Sequence, residues 1–474
     1  MASYGRRKIK IDVEKVTPQN VISVLDRVLP IHSQNSTESQ HLFAVYRGEQ
    51  AILNRRKEVR EEINNKILAN HANEIVSFKV SYLLSEPIAY VSRGVNEVTD
   101  KVNRLNEMMF LNNKAARDKE IADDFSICGQ AFRMVLPNPD YKDEDEPPFQ
   151  IFTLDPCSTF VVYHSGVGEK PICAVTYTSK DFMSGDNVSE IIYSVYTHDT
   201  YYEICSHRII KQTSHAMGMI PIFEYVNNNA RIGAFEVVET LLDAINTLTS
   251  NRVDATEQAV QALMVFVNCE ISTDDYDKMR AKGAVKIKSS DGIASDIKLL
   301  AADLKQADQQ VLMDALYEEV LRITGMPSQA MGGNSDSSNN GAVIVRNGWF
   351  NAEARAKDTE LLWRESEGYF LKLVLKFCRE MSGLDLKLSD ITEKFTRRNY
   401  EDLQVRSQVL TTMLSNPHIA PRLAFAHCGM FVDSEEAFRE SEKWYEEHKE
   451  ELNPPTVPDG NNPKDKPTKV ETEE

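Results

Sequence analysis

Residues 234–263 read AFEVVETLLDAINTLTSNRVDATEQAVQAL. The stretch contains no proline and no glycine. Phe235, Val238, Leu241, Leu242, Ile245, Leu248, Val253, Val260 and Leu263 recur at helical spacing, which predicts one long helix. At 1.5 Å per residue it would reach about 45 Å, longer than a compact domain needs. A short insert follows, with a strand predicted over 264–271, a helix over 273–282 and a strand over 284–288. A returning helix is then predicted over 303–323, with Ala307, Val311, Leu312, Ala315, Leu316, Val320 and Ile323 on one face. Gly325 and Pro327 supply the chemistry of a helix C-terminus. The order predicts a helical hairpin with a small αβ knob at its tip.

Outward from the hairpin, 332–341 (GGNSDSSNNG) has the composition of a flexible linker. A long helix is predicted over 342–381, carrying Trp349, Phe350, Leu361, Leu362, Trp363, Tyr369, Phe370 and Phe377. Two or three more helices are predicted over 391–447, and the five prolines beyond Leu452 predict a disordered tail. Upstream, Ile52, Val59, Ile63, Ile67 and Leu68 predict a helix within 49–78, before a Val-, Phe- and Tyr-rich run that ends at Pro87. A helical block over 95–131 has Leu105, Met108, Met109 and Phe110 as its stripe. Residues 137–148 (PNPDYKDEDEPP) read as a loop whose acidic run, Asp143 to Glu146, is most simply a solvated turn, with a metal site as the distant second reading. From 149 to 223, short β-branched and aromatic runs broken by Gly, Asp and Asn predict an antiparallel sheet against the preceding helices. The fold class expected is α+β, mainly helical.

With 474 residues, 42% of them apolar and 27% charged, the chain has material for a sizeable core and for about three domains. Asp and Glu number 72 against 54 Lys and Arg, a net charge of −18, and that field argues against a role in coating nucleic acid. The longest apolar run, Ala262 to Val267, is far short of a membrane span, and the basic residues 1–10 lack a signal-peptide core. Seven cysteines without a CxxC pair suit reduced thiols. The expectation is a large, acidic, soluble intracellular protein without a cofactor.

Catalytic patterns are missing. Gly166-Val167-Gly168-Glu169-Lys170 has the wrong spacing for a phosphate-cradling loop, and there is no HExxH or GxSxG. Adjacent His427 and Cys428 read as a packed helix end, because metal ligands need intervening residues or convergence from elsewhere. Asp123 and Asp124, as neighbours on a helix, diverge by about 100°, which argues against a two-metal site.

Several strings in order resemble the portal proteins of tailed bacteriophages, of the type found in long, flexible-tailed phages of Gram-positive hosts. The first begins at Arg55-Arg56, passes through Asn64-Asn65-Lys66-Ile67-Leu68-Ala69-Asn70, and reaches Tyr82-Leu83-Leu84-Ser85-Glu86-Pro87-Ile88. This last piece is similar to a family run "Tyr-Leu-x-Gly-x-Pro-Ile", with Ser85 where glycine is usual. The second is Ile220-Pro221-Ile222-Phe223-Glu224-Tyr225, followed by Phe235-Glu236 and Leu241-Leu242-Asp243-Ala244-Ile245-Asn246. The third is Ile323-Thr324-Gly325-Met326-Pro327, then the polar loop, then Gly341-Ala342.

The resemblance implies a non-enzymatic ring, a dodecamer in the virion, at the capsid vertex through which double-stranded DNA enters and leaves. Carried over by position, 1–19 is a basic arm, 20–233 the wing and 234–263 with 303–324 the stem. The clip is 264–302 and the tunnel loop 325–341. A connecting helix over 342–390 leads to crown helices over 391–451, and 452–474 is a disordered tail. The tunnel loop would bring Met331, Gly332, Gly333, Asn334, Ser335, Asp336, Ser337, Ser338, Asn339 and Asn340 to DNA. The stem would set Glu236, Glu239, Asp243, Asp314, Glu318 and Glu319 on an acidic channel wall. Clip residues Asp274, Asp275, Lys278, Lys282, Lys286 and Lys288 would dock the terminase large subunit and later the head-completion adaptor. The other implied partners are the major capsid and scaffolding proteins, with no membrane.

A plain reading stands beside each of these. Stem acids, Asp254 and Glu257 included, could equally form the solvated face of an amphipathic helix, and 332–341 could be only a linker. Arg6-Arg7-Lys8 is expected to be a disordered terminus. The rival functions are a DNA-processing nuclease of the same packaging module and a prophage-derived ring that passes no DNA.

Overall fold

The computed structural model describes residues 4–58, 61–93, 96–142, 146–181, 189–260, 263–267, 296–300, 306–328, 348–397, 403–431 and 434–449. Among the described residues helix and strand are mixed, and the chain divides into two compact units, 1–398 and 399–474.

The first unit opens on an element that the apolar pattern does not announce. Helix α1 (Val21–Arg47) contains Pro30, and it buries His32, Asn35, Ser36 and Ser39 between its apolar ends. For Asn35 and Ser36, partners outside the helix make that burial tolerable. The Asn35 side chain accepts from Arg7 N at 2.9 Å and donates to Arg7 O at 2.8 Å, while Ser36 Oγ donates to Cys157 O at 2.7 Å. These bonds bed residues 5–11 on the helix. Strand β1 (Ile9–Ile11) then runs parallel to β5 (Thr159–His164). The basic start of the chain is therefore built into the fold: Arg6 is 4% exposed and ion-paired with Glu236 at 2.5 Å and Glu38 at 3.2 Å.

Beyond β1 and β5 the sheet continues through β6 (Pro171–Asp181), β7 (Ser189–Tyr196), β8 (Thr200–Cys205) and β9 (Arg208–Ser214), all antiparallel as the alternating composition predicts. Phe160 and Val162 of β5 turn to the α1 side while Val161 joins a separate core, so this strand is buried on both faces. A second sheet orders β10 (Ile222–Val226), β3 (Gln130–Pro137) and β4 (Phe149–Leu154).

Two predicted helical blocks are divided. No helix spans 49–78: α1 stops at the left-handed Gly48, a 3-10 turn covers Ala51–Asn54, 64–70 is neither helix nor strand, and α2 (His71–Leu83) takes up the start of the Val- and Phe-rich run. The block over 95–131 is α3 (Asn96–Leu111) and α4 (Lys114–Cys128), broken at Asn113 with φ +52°, a conformation asparagine tolerates better than most side chains. Leu105, Met108 and Met109 are buried, but Phe110 is 82% exposed and leaves the stripe.

The hairpin is present. A 3-10 turn, Glu236–Val238, leads into α5 (Glu239–Val260), and α6 (Gln306–Thr324) returns against it. Between them β11 (Leu263–Val267) pairs antiparallel with β12 (Asp296–Leu300), so Leu263 belongs to a strand. The helix expected at 273–282 and the strand expected at 284–288 lie outside the described residues. The long helix α7 (Trp349–Phe377) ends in a π-helical turn, Cys378–Ser382. Where helices are expected from 391, β13 (Ile391–Lys394) pairs antiparallel with β2 (Ala89–Ser92), because Ile391 and Thr392 are β-branched and meet an open edge.

One ionic cluster sits at the centre of this unit, where α4, β3, β2, β10 and α7 meet. Arg133 and Glu367 are both fully buried and paired at 3.0 Å. Lys114 reaches Glu367 at 2.9 Å and Asp118 at 2.7 Å, Arg133 also pairs with Asp118, and Tyr90 and Tyr225 donate to Glu367 at 2.5 and 2.6 Å. Two cations and two anions cancel, the condition under which buried charge is tolerable.

The second unit holds α8 (Leu403–Leu414), α9 (Pro421–Cys428) and α10 (Ser434–Glu447). Phe425 of α9 meets Phe431 and Phe438, with ring centroids 5.2 and 5.7 Å apart. Cys428 is buried at the end of α9, before Gly429 with φ +67°, so His427 and Cys428 stand at a packed helix end.

Candidate functional site: the acidic hairpin and its root

The hairpin divides lengthwise. At its base Val238, Leu242, Ile245, Val320 and Leu321 are buried in the main core. Farther out, Val253 is 39% exposed, Leu312 49% and Val311 69%, so the outer half of the hairpin shows apolar side chains to solvent. Arg252 crosses to Gln310 at 2.5 Å and Tyr317 donates to Glu74 at 2.7 Å, tying α5 to α6 and α6 to α2.

One face of α5 is buried although its residues are polar. Asn246, Ser250 and Asp254, four residues apart, are 0%, 0% and 2% exposed. They accept hydrogen bonds from the backbone N–H groups of Ala69, Ile67 and Asn65, at 2.9, 3.0 and 2.8 Å. A helix repeating every four residues here meets a strap whose alternate N–H groups face it, and each of these finds one side-chain oxygen. Asp254 also pairs with Arg55 at 3.1 Å and Lys57 at 2.7 Å, and its carboxyl is held below its ordinary range against the opposing effect of burial.

The six acids expected on a channel wall fall into different settings. Glu236 is 6% exposed, accepts from Gly5 N and Gly233 N at 2.9 and 2.8 Å, and pairs with Arg6, so it serves to anchor the start of the chain. Glu239 contacts His41 at 2.6 Å. Asp243 lies one turn on, and its carboxyl is pushed up by partial burial and then by Glu239. On α6, Asp314 and Glu318 are exposed one turn apart, Asp314 accepts from Gln310 at 2.7 Å, and Glu319 pairs with Arg322. Of the wider set, Asp254 and Glu257 are bonded to the strap and are not free surface charge.

The tunnel-loop residues Met331 to Asn340 and the six clip residues from Asp274 to Lys288 lie outside the described residues. The flanks of 329–347 are described, and they meet: a side chain at Gly348, which has φ +79°, would come 3.7 Å from Pro327 Cα. The intervening chain leaves and returns at one place, at the root of the hairpin.

Sequence reasoning missed the ionic cluster and the α5 strap. Lys114 and Asp118, four residues apart on α4, carry a local signal, but Glu367, which pairs with Lys114, is 253 positions farther along and that pairing appears only in three dimensions. Among the described residues no three of His, Cys, Asp or Glu gather as a metal site, and no helix is long and apolar enough to cross a membrane.

No protein of curated function matches the chain. Among solved structures it is similar to a chain from the virion of a native gene transfer agent particle, at 12% identity and TM-score 0.43, covering 76% of this chain and 89% of that one. A chain from the neck of an empty gene transfer agent particle computed with C6 symmetry is alike to the same degree, at 12% identity and TM-score 0.42, covering 76% and 90%. Likeness at that level decides nothing about fold or function. The family model described as "Phage portal protein, SPP1 Gp6-like" matches residues 25–453, from within α1 through both sheets, the hairpin and α7 to the end of the last helix. A match that runs through nearly every element in order decides the question: the chain belongs to the SPP1 Gp6-like phage portal protein family.

Proposed function

We propose that this protein is a structural subunit of a portal ring, a dodecamer in the virion, of the kind built by long, flexible-tailed phages of Gram-positive hosts. The observation that carries the reading is the family match over 25–453. It is supported by a hairpin whose outer half exposes Val253, Val311 and Leu312, surface that a neighbouring subunit would cover. In this reading 20–233 is the wing, 234–263 and 303–324 the stem, and 264–302 the clip. Residues 325–341 form the tunnel loop, 342–390 the connecting helix and 391–451 the crown. The ring is the conduit for double-stranded DNA during packaging and ejection. It docks the terminase large subunit and then the head-completion adaptor at the clip, and it meets the capsid and scaffolding proteins around its rim. The protein supplies the passage and a separate ATPase the energy.

The acidic wall is carried by Glu239, Asp243, Asp314, Glu318 and Glu319, with Glu236 kept back to hold Arg6. Mass photometry of the purified protein, with imaging of the same sample, tests the reading. A closed ring of about a dozen copies with a central hole is expected. A small assembly that persists when scaffold and capsid protein are co-expressed would overturn it.

A further inference from the structure

At the root of the hairpin, α2, the end of α4, the end of α6 and α7 enclose a space of about 40 Å³. On the same scale one water occupies about 10–15 Å³, so the space suits a few waters or one small polyatomic ion. Lys79 of α2 and Arg355 of α7 line it together with Ser126, and among the described residues no Asp or Glu does. Lys79 makes no hydrogen bond and no ion pair among the described residues. Burial, and then the neighbouring Arg355 charge, push its ammonium down to about 8.

Arg355 is fixed in place. Its Nη1 donates to Ile323 O at 2.8 Å, closing the carboxyl end of α6. Room for it depends on Gly325, with φ +74°, where a Cβ would come 2.4 Å from Arg355 Cδ. Glu353, two residues before it on the same helix, is taken by Arg397 at 3.0 Å and by the Tyr82 hydroxyl at 3.0 Å. Two like charges thus line one half-enclosed space with no counter-charge among the described residues, and although solvent reaches the outer side of Arg355, an anion entering there would meet both.

We propose that this pocket seats a small oxyanion of the phosphate or sulfate class, held between the Lys79 ammonium and the Arg355 guanidinium, with the Ser126 hydroxyl as a third donor. A planar fork and a point charge set apart suit a tetrahedral group with several oxygens. The volume excludes a whole nucleotide, so a nucleic acid could offer only a single backbone phosphate. The inference goes beyond the portal reading and does not rest on it. Its structural effect is local: the anion ties α2 and α7 to the place where Pro327 and Gly348 bring the two flanks of 329–347 together.

The test uses the full-length protein. Inorganic phosphate is titrated at fixed ionic strength, with chloride as the balancing ion, and read by calorimetry and by the thermal midpoint. Saturable binding near one phosphate per chain is expected, weaker at pH 9 than at pH 7. Lys79→Met should lower the affinity at least tenfold without loss of fold, since it removes an unpaired charge, and Arg355→Gln should weaken binding as well. Lys79→Arg should keep most of it. Short duplex DNA that displaces the phosphate in the parent and not in Lys79→Met would identify a backbone phosphate as the source, and DNA without effect would identify the free ion. No saturable response to phosphate or sulfate, or an unchanged affinity in Lys79→Met, would overturn the proposal.

Discussion

Glu367 has four partners and no contact with water: Lys114, Arg133 and the hydroxyls of Tyr90 and Tyr225. The two cations hold its carboxyl well below its ordinary range although burial pushes the other way. Glu367→Gln keeps the shape and removes the charge, leaving Lys114 and Arg133 to share Asp118. A loss of about 3–5 kcal/mol is expected, read as a lower urea midpoint, as for other buried pairs deprived of one partner. A loss under about 1 kcal/mol would mean that the cluster contributes little to stability. Its neighbour Glu393 behaves oppositely. Burial, and then the charge of Glu367, push its carboxyl up to about 8. An unfolded Glu393 loses its proton near pH 4.5 while the folded one keeps it, so this group's contribution to stability declines from about pH 4.5 to 8. Glu393→Gln should flatten that decline as followed by denaturation midpoints at pH 5, 6.5 and 8. Asp124, also raised to about 8 by burial, will leave a residual slope of the same sign. An unchanged slope in Glu393→Gln would show that Glu393 is not its source.

Among the elements, the strap at 64–70 shows why part of this fold was legible in the sequence and part was not. The hairpin helices, the strands from 149 to 223 and the long helix α7 were readable because each carries a stripe of apolar side chains at its own period, buried in the hairpin only at its base. The strap and α1 bury polar groups instead. Asn246, Ser250 and Asp254 look like a solvated face until the N–H groups of 65, 67 and 69 are set against them. Asn35 and Ser36 look like an interruption until Arg7 and Cys157 arrive from elsewhere in the chain. Periodicity records what a residue does in its own element, and these partners lie 28 to 189 positions away. The candidate site divides in the same way: the acidic residues were findable, but not that Glu236 is committed to Arg6. If the strap is held by α5, Asp254→Ala should destabilise the protein by about 3 kcal/mol, because it strands the Arg55 and Lys57 charges as well as one backbone donor. Hydrogen exchange at Ile67 and Ala69 should quicken together with that at Asn65. Faster exchange at Asn65 alone would show three independent bonds and no cooperative strap.

For the whole molecule, a net charge of −18 and the proposed passage for DNA pull in opposite directions unless repulsion is what such a passage requires. A wall that attracted phosphates would slow a duplex in transit, whereas an acidic wall keeps it off at close range and is screened beyond about 8–10 Å at physiological salt. The paired acids Asp314 and Glu318 fit that role best. They are exposed, lie one turn apart on α6, and are not neutralised by a cation among the described residues, so they repel each other at a small cost to the helix. Changing both to Lys should leave the fold and ring yield intact, because neither side chain is buried. It should also make the ring bind duplex DNA without sequence preference, in a manner that weakens steeply with salt, with the log–log slope gaining roughly 0.9 per added phosphate contact. In a packaging reaction the same variant should fill capsids more slowly at low salt and recover as salt is raised. Rings of the double variant that bind DNA no better than the parent, and package at the parent's rate at every salt concentration, would move these carboxylates off the proposed channel and onto the outer surface of the hairpin.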